Sequence, residues 1–116
     1  MKPRLHVLFV CSMNKWRSPT AEYLYRNDPR LQARSAGTKA EARRRISESD
    51  IKWADVIFVM ESEHKQWIVA QFKGMKLPRI EILDIPDDYQ YMDPELQREL
   101  RALIDPEIDA MIAANK

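Results

Sequence analysis

The chain holds one cysteine, Cys11, with Arg17 and Ser18 six and seven residues beyond it in the stretch VLFVCSMNKWRSPTAE, residues 7–22. A free cysteine at the end of a buried strand can simply fill space, since it is among the most buried residue types. Arginine and serine at this spacing, ahead of a helix start, offer more. A loop between a strand end and a helix start turns successive backbone N–H groups into one concavity, where the helix dipole adds positive potential. That concavity suits an anion. Arg17 can add a planar fork that grips two oxygens of a phosphate at once. The same field favours Cys11 as a thiolate, the form in which sulfur is nucleophilic. Ser18 can donate its hydroxyl to that sulfur, and Asn14 tolerates the left-handed backbone of a tight loop.

These residues need a strand before them and a helix after them. LHVLFV at 5–10 is too apolar for a half-exposed strand and suits a central strand buried on both faces. Ser18 is the expected cap of the first helix, with Pro19 at its first position, and Asp28-Pro29 ends it. QARSAGT at 32–38 reads as a second strand. Ser47-Glu48-Ser49-Asp50 reads as a capping box opening a short helix that carries Ile51, Trp53 and Ala54 inward. DVIFVM at 55–60 is a third strand, EHKQWIVAQF a helix capped by Ser62 and closed at Lys73-Gly74, and RIEILDI at 79–85 a fourth strand. Asp93-Pro94 starts a last helix with Leu96, Leu100, Leu103 and Ile104 on one stripe. Asp105-Pro106 is expected to interrupt it, with EIDAMIAA resuming as a kinked second piece.

The alternation predicts one α/β domain over residues 1–116: a small doubly wound sheet of four parallel strands flanked by helices. Such sheets bind ligands at the carboxyl ends of their strands, near the switch in strand order. Cys11 stands at such an end.

Composition is consistent with this. The 116 residues are 45% hydrophobic and 32% charged, with 19 basic against 18 acidic side chains and a formal net charge of +1. That balance gives no general argument for nucleic acid or an anionic membrane, so any anion site must be local. The basic, apolar beginning is shorter than a signal-peptide core, and a cytoplasmic location is the expectation. One cysteine excludes an intramolecular disulfide and a cysteine-rich zinc site. No ligand set for a metal or organic cofactor is evident, and none is expected.

VLFVCSMNKWRSPTAE, RSAGT at 34–38, ADVIFVMESEH at 54–64 and LDIPDDYQYMDPEL at 83–96 together resemble the low-molecular-weight protein tyrosine phosphatases, in particular a short prokaryotic branch of predicted phosphatases. The resemblance implies Cys11 as the phosphate-accepting nucleophile and Arg17 as the phosphate clamp. Ser12, Met13, Asn14, Lys15, Trp16 and Ser18 make up the phosphate-binding loop, with Asn14 and Ser18 organising it and Ser35 supporting Asn14. Within Pro86-Asp87-Asp88-Tyr89 it implies Asp87 as general acid, with Asp88 the competing carboxylate and Asp88 and Tyr89 at the substrate rim. A phosphotyrosine protein or small aryl phosphate is then the implied substrate. Two other activities use such a loop: arsenate reduction with an external thiol, and non-catalytic phosphate binding.

The chain departs from the family at three places. Met13 stands where glycine is common, so the loop must hold its cradle with ordinary backbone angles. Trp16 stands where a second cysteine is common, so an oxidised Cys11 has no intramolecular partner. The segment between Gly37 and Ile46 is short, where relatives carry a longer specificity loop. Arg43-Arg44-Arg45 within it is the densest basic run and reads first as a solvated face.

Overall fold

The computed structural model describes residues 4–114. Four strands, β1 (Leu5–Cys11), β2 (Leu31–Gly37), β3 (Val56–Val59) and β4 (Arg79–Ile82), form one parallel sheet in the order β2-β1-β3-β4. The chain leaves β1 toward β2 on one side and returns to β3 on the other. This reversal opens a crevice at the carboxyl end of β1. There Cys11 pairs in register with Gly37.

Both faces of β1 are buried, which is why its sequence is continuously apolar. Val7, Phe9 and Cys11 face a core built with Ala21 and Tyr25 of α1 (Arg17–Tyr25) and Leu96, Leu100, Ile104 and Ile108 of α4 (Pro94–Ala114). Leu8 and Val10 face the opposite core, with Ile51 of α2 (Glu48–Trp53) and Ile68 of α3 (Ser62–Gln71). The edge strand β4 is short and carries the Arg79–Glu81 pair, features that discourage pairing with another chain. No helix among the described residues is long and apolar enough to cross a membrane.

The parallel doubly wound sheet agrees with the sequence pattern, and α2 opens on the expected capping box of Ser47 and Asp50. Four local expectations are corrected. α1 begins at Arg17 with Trp16 in the cap position and no side-chain cap bond, because the Ser18 hydroxyl is directed at Cys11. α3 is capped by Glu61, so Ser62 is its first residue. α4 runs unbroken through Pro106. The N–H that Pro106 lacks would have met the carbonyl of Ala102, and both residues lie on the exposed side, while the buried stripe continues to Ile108. Leu103, assigned to that stripe from its spacing, is exposed.

Candidate active site

Residues 12–16 connect β1 to α1 and contain no glycine. Their shape is imposed by residues 38–43. Thr38 N–H donates to the Cys11 carbonyl (3.1 Å), Lys39 N–H to that of Ser12 (3.0 Å) and Arg43 N–H to that of Met13 (3.0 Å). Arg43 Nε completes the series on the carbonyl of Asn14 (3.0 Å). In a trans peptide the C=O of one residue and the N–H of the next point in opposite directions. Four carbonyls drawn to one side therefore turn the N–H groups of Ser12, Met13, Asn14 and Lys15 to the other. Among the described residues, none of these N–H groups donates to a protein acceptor.

Only Asn14 in this loop takes a positive φ, 53°, which asparagine tolerates better than most residues, and Met13 keeps ordinary angles. The glycine that permits the close approach is Gly37. A Cβ there would lie 2.6 Å from both the Ser12 carbonyl oxygen and Ala42 Cβ, and 2.9 Å from Asn14 N. Gly37→Ala is expected to cost about 1–3 kcal/mol by overpacking and to disorder the loop as it does so. Chemical denaturation at pH 7 measures the loss, and an unchanged midpoint would refute it.

Cys11 is 3% exposed, with Sγ 2.9 Å from Ser18 Oγ. Asn14 Nδ2 donates to that same Ser18 oxygen (2.9 Å), leaving the serine proton for the sulfur or, at 3.4 Å, for the Ala36 carbonyl. The hydroxyl can thus follow the charge on sulfur: toward Ala36 beside a thiol, toward Sγ beside a thiolate.

Arg17 is 2% exposed at the start of α1. Its Nη1 donates to Glu61 Oε1 (2.6 Å) and to the Ile85 carbonyl (2.8 Å), and its Nε lies 3.5 Å from Asp87 Oδ1. With Nη1 engaged, the guanidinium keeps its Nε and Nη2 edge for a bidentate anion contact. The same contacts hold residues 85–87 beside the loop, and Met92 N–H donating to Thr20 Oγ1 (2.8 Å) fastens the far end of that segment. Cys11, Ser12, Met13, Lys15, Arg17 and Asp87, together with Trp16, surround a cavity of about 130 Å³. Asn14 and Ser18 are fully buried behind it.

Three expected positions fall elsewhere. Ser35 does not reach Asn14: its hydroxyl donates to Glu22, and Asn14 is held by Ser18 and Arg43 instead. Asp88 is exposed and does not line the cavity. Tyr89 leaves the rim because its hydroxyl lies 2.8 Å and 2.5 Å from carboxylate oxygens of Glu95 and Glu99 on α4. The basic run is exposed, as a solvated face would be, and each of its arginines also meets a partner in the fold. Arg43 reaches Asn14, Arg44 bridges the Ser35 carbonyl and buried Asp50, and Arg45 lies over the Trp67 ring.

Glu61 and His64 were not singled out by sequence reasoning for this site; the available signal was the spacing Glu-x-x-His ahead of an apolar helix. His64 is 1% exposed and sits in a reciprocal capping box with Glu61. Burial, with Arg17 nearby, pushes its pKa down to about 4. Lys39 acts in the same direction, while Glu61 and Asp87 oppose it. Glu63 is adjacent, but both His64 ring nitrogens are already hydrogen-bonded within the protein. The folded chain keeps His64 neutral where an unfolded chain, titrating near 6.5, takes up a proton. Its contribution to stability is complete above pH 6.5 and is lost as pH falls to about 4, a change of roughly 3 kcal/mol. Urea denaturation at pH 7 and pH 4.5 should show this loss in the wild type and a smaller one in His64→Gln. Equal losses in both would assign the acid sensitivity elsewhere.

No protein-family model and no curated protein matches the chain, and its likeness is to solved structures. It is similar to the YwlE arginine phosphatase from Geobacillus stearothermophilus, with 25% identity and a TM-score of 0.73 over 95% of this chain and 94% of that one. It is similar to the low-molecular-weight protein tyrosine phosphatase from T. tengcongensis, with 23% identity and a TM-score of 0.74 over 91% and 99% of the two chains. The tyrosine phosphatase Wzb from Escherichia coli K30, solved in complex with phosphate, shares 19% identity and a TM-score of 0.71 over 93% and 99%.

Proposed function

We propose that this chain, an enzyme of the low-molecular-weight protein tyrosine phosphatase type and a member of that family by fold, hydrolyses phosphomonoesters through a cysteinyl-phosphate intermediate. The observation that carries the reading is the convergence on one cavity of a buried cysteine, an arginine whose Nη2 has no protein partner among the described residues and whose Nε meets only Asp87 at 3.5 Å, and loop N–H groups without protein acceptors. In the proposed reaction the loop N–H groups and Arg17 bind the phosphoryl oxygens and stabilise the charge that builds on them. The Cys11 thiolate attacks phosphorus and displaces the alcohol or phenol, while Ser18 shares its proton with the sulfur until the S–P bond forms.

Asp87 is the proposed proton donor to the leaving oxygen, and its carboxylate then activates the water that breaks the S–P bond. Its place beside Arg17 Nε favours it over Asp88. Asp87→Asn should lower turnover of phenyl phosphate by about 10²-fold or more, with a smaller loss on p-nitrophenyl phosphate, whose phenolate leaves unaided. Asp88→Asn should stay within about threefold of wild type. A larger loss in Asp88→Asn than in Asp87→Asn would overturn the assignment.

A phosphotyrosine protein or small aryl phosphate remains the proposed substrate, with Trp16 and Met13 as apolar wall and Lys15 at the mouth. Cytoplasmic conditions, which keep a lone thiol reduced, suit the reaction. The test is p-nitrophenyl phosphate hydrolysis by the full chain from pH 4 to pH 8, with EDTA present. Turnover supports the reading. A folded chain that binds orthovanadate without turnover would identify a phosphate-binding module. Arsenite release that depends on an added thiol, without phosphatase activity, would identify an arsenate reductase.

A further inference from the structure

The first turn of α3 makes a second attachment to the phosphate loop, one that the proposed reaction does not itself require. Glu61 N–H donates to His64 Nδ1 (3.0 Å), the side-chain half of the capping box. A ring nitrogen that accepts carries no proton, so neutral His64 is protonated at Nε2. Nε2 lies 2.9 Å from Ser12 Oγ, and the direction of this bond is therefore set: His64 donates, Ser12 accepts. Glutamine or glutamate at this helix position would close the capping box equally well. Only the imidazole has a second nitrogen that reaches Ser12, and burial, which disfavours its charged form, keeps the ring in the neutral state that this pair of bonds requires. The same turn holds Arg17 through Glu61, so the two ends of the loop are referenced to one helical turn.

We propose that His64 is a positioning residue for the phosphate loop, its Nε2–H holding Ser12 so that the N–H groups of Ser12 through Lys15 converge on a phosphoryl group. Its consequence for turnover rests on the phosphatase reading; the tether and its effect on phosphate affinity do not.

His64→Gln keeps a side-chain acceptor for Glu61 N–H and removes the donor to Ser12, whereas Ser12→Ala removes the acceptor and keeps the ring. Three measurements on the full chain test the proposal: ¹⁵N NMR of the imidazole, affinity for inorganic phosphate, and kcat and KM on p-nitrophenyl phosphate. The wild type should show the Nε2–H tautomer at pH 7, with a resonance that shifts in Ser12→Ala. Each variant should weaken phosphate binding and kcat/KM about fivefold to tenfold, and the double variant should be no worse than either single one. The Nδ1–H tautomer, wild-type phosphate affinity in His64→Gln, additive losses in the double variant, or no phosphate affinity in the wild type would each overturn the proposal. Phosphate binding with the expected couplings but no aryl phosphate turnover would remove the catalytic reading and leave the tether standing.

Discussion

Cys11→Ser should reduce p-nitrophenyl phosphate turnover by at least about 10³-fold, to the assay background, while leaving the protein folded. The nucleophile is the side chain that cannot be bypassed: without it no cysteinyl phosphate forms, and neighbouring groups recover little of the rate alone. A serine hydroxyl in the same place does not ionise near neutral pH, and the loop that suits a thiolate does not supply a base strong enough to make an alkoxide. The exchange is otherwise mild. Oxygen is smaller than sulfur at a site 3% exposed, and Ser18 and the loop N–H groups remain in place. Inorganic phosphate should therefore still bind, which separates loss of chemistry from loss of the site. Measuring kcat together with phosphate affinity checks this, and a serine variant with more than a tenth of wild-type activity would remove Cys11 from the role.

Arg17→Lys should lower kcat/KM by about 10²–10³-fold even though it preserves the charge. Geometry is what is lost. In the wild type Nη1 is occupied by Glu61 Oε1 at 2.6 Å and the Ile85 carbonyl at 2.8 Å, so the opposite edge is presented as a rigid, planar pair of donors. A lysine ammonium cannot keep those two acceptors and also hold two phosphate oxygens in a plane. It must choose, and Glu61 is the nearer partner. Because the same guanidinium anchors residues 85–87, the substitution should also loosen Asp87 and flatten the dependence of rate on leaving-group quality. Steady-state kinetics on phenyl and p-nitrophenyl phosphate test both effects. A lysine variant within about fivefold of wild type on both would show that charge alone is sufficient.

Much of this architecture is readable in the chain because its determinants are local. Continuous apolar character marks β1 as a strand buried on both faces, the Ser47–Asp50 box marks the start of α2, and alternation of strand and helix periods implies the parallel crossovers. Cys11, Arg17 and Ser18 lie within eight residues of one another, so one loop and one helix turn bring them together.

What the sequence by itself could not determine are contacts between segments far apart, or choices between two locally acceptable states. Glu61 meets Arg17 across 44 positions and His64 meets Ser12 across 52, and no local pattern specifies such a meeting. The strap at 38–43 reads as a polar loop until its donors are seen on four successive carbonyls. Tyr89 could as well face solvent, a substrate or Glu95 and Glu99, and Ser35 could serve Asn14 or Glu22; the packed partners decided each. Proline at 106 disfavours a helix, yet the buried stripe from Leu96 to Ile108 outweighs one lost hydrogen bond on the exposed side. The sequence determined which groups could do the chemistry. Tertiary packing decided how they are aimed, because in a loop without glycine the direction of each N–H is set by the partner that takes the neighbouring carbonyl.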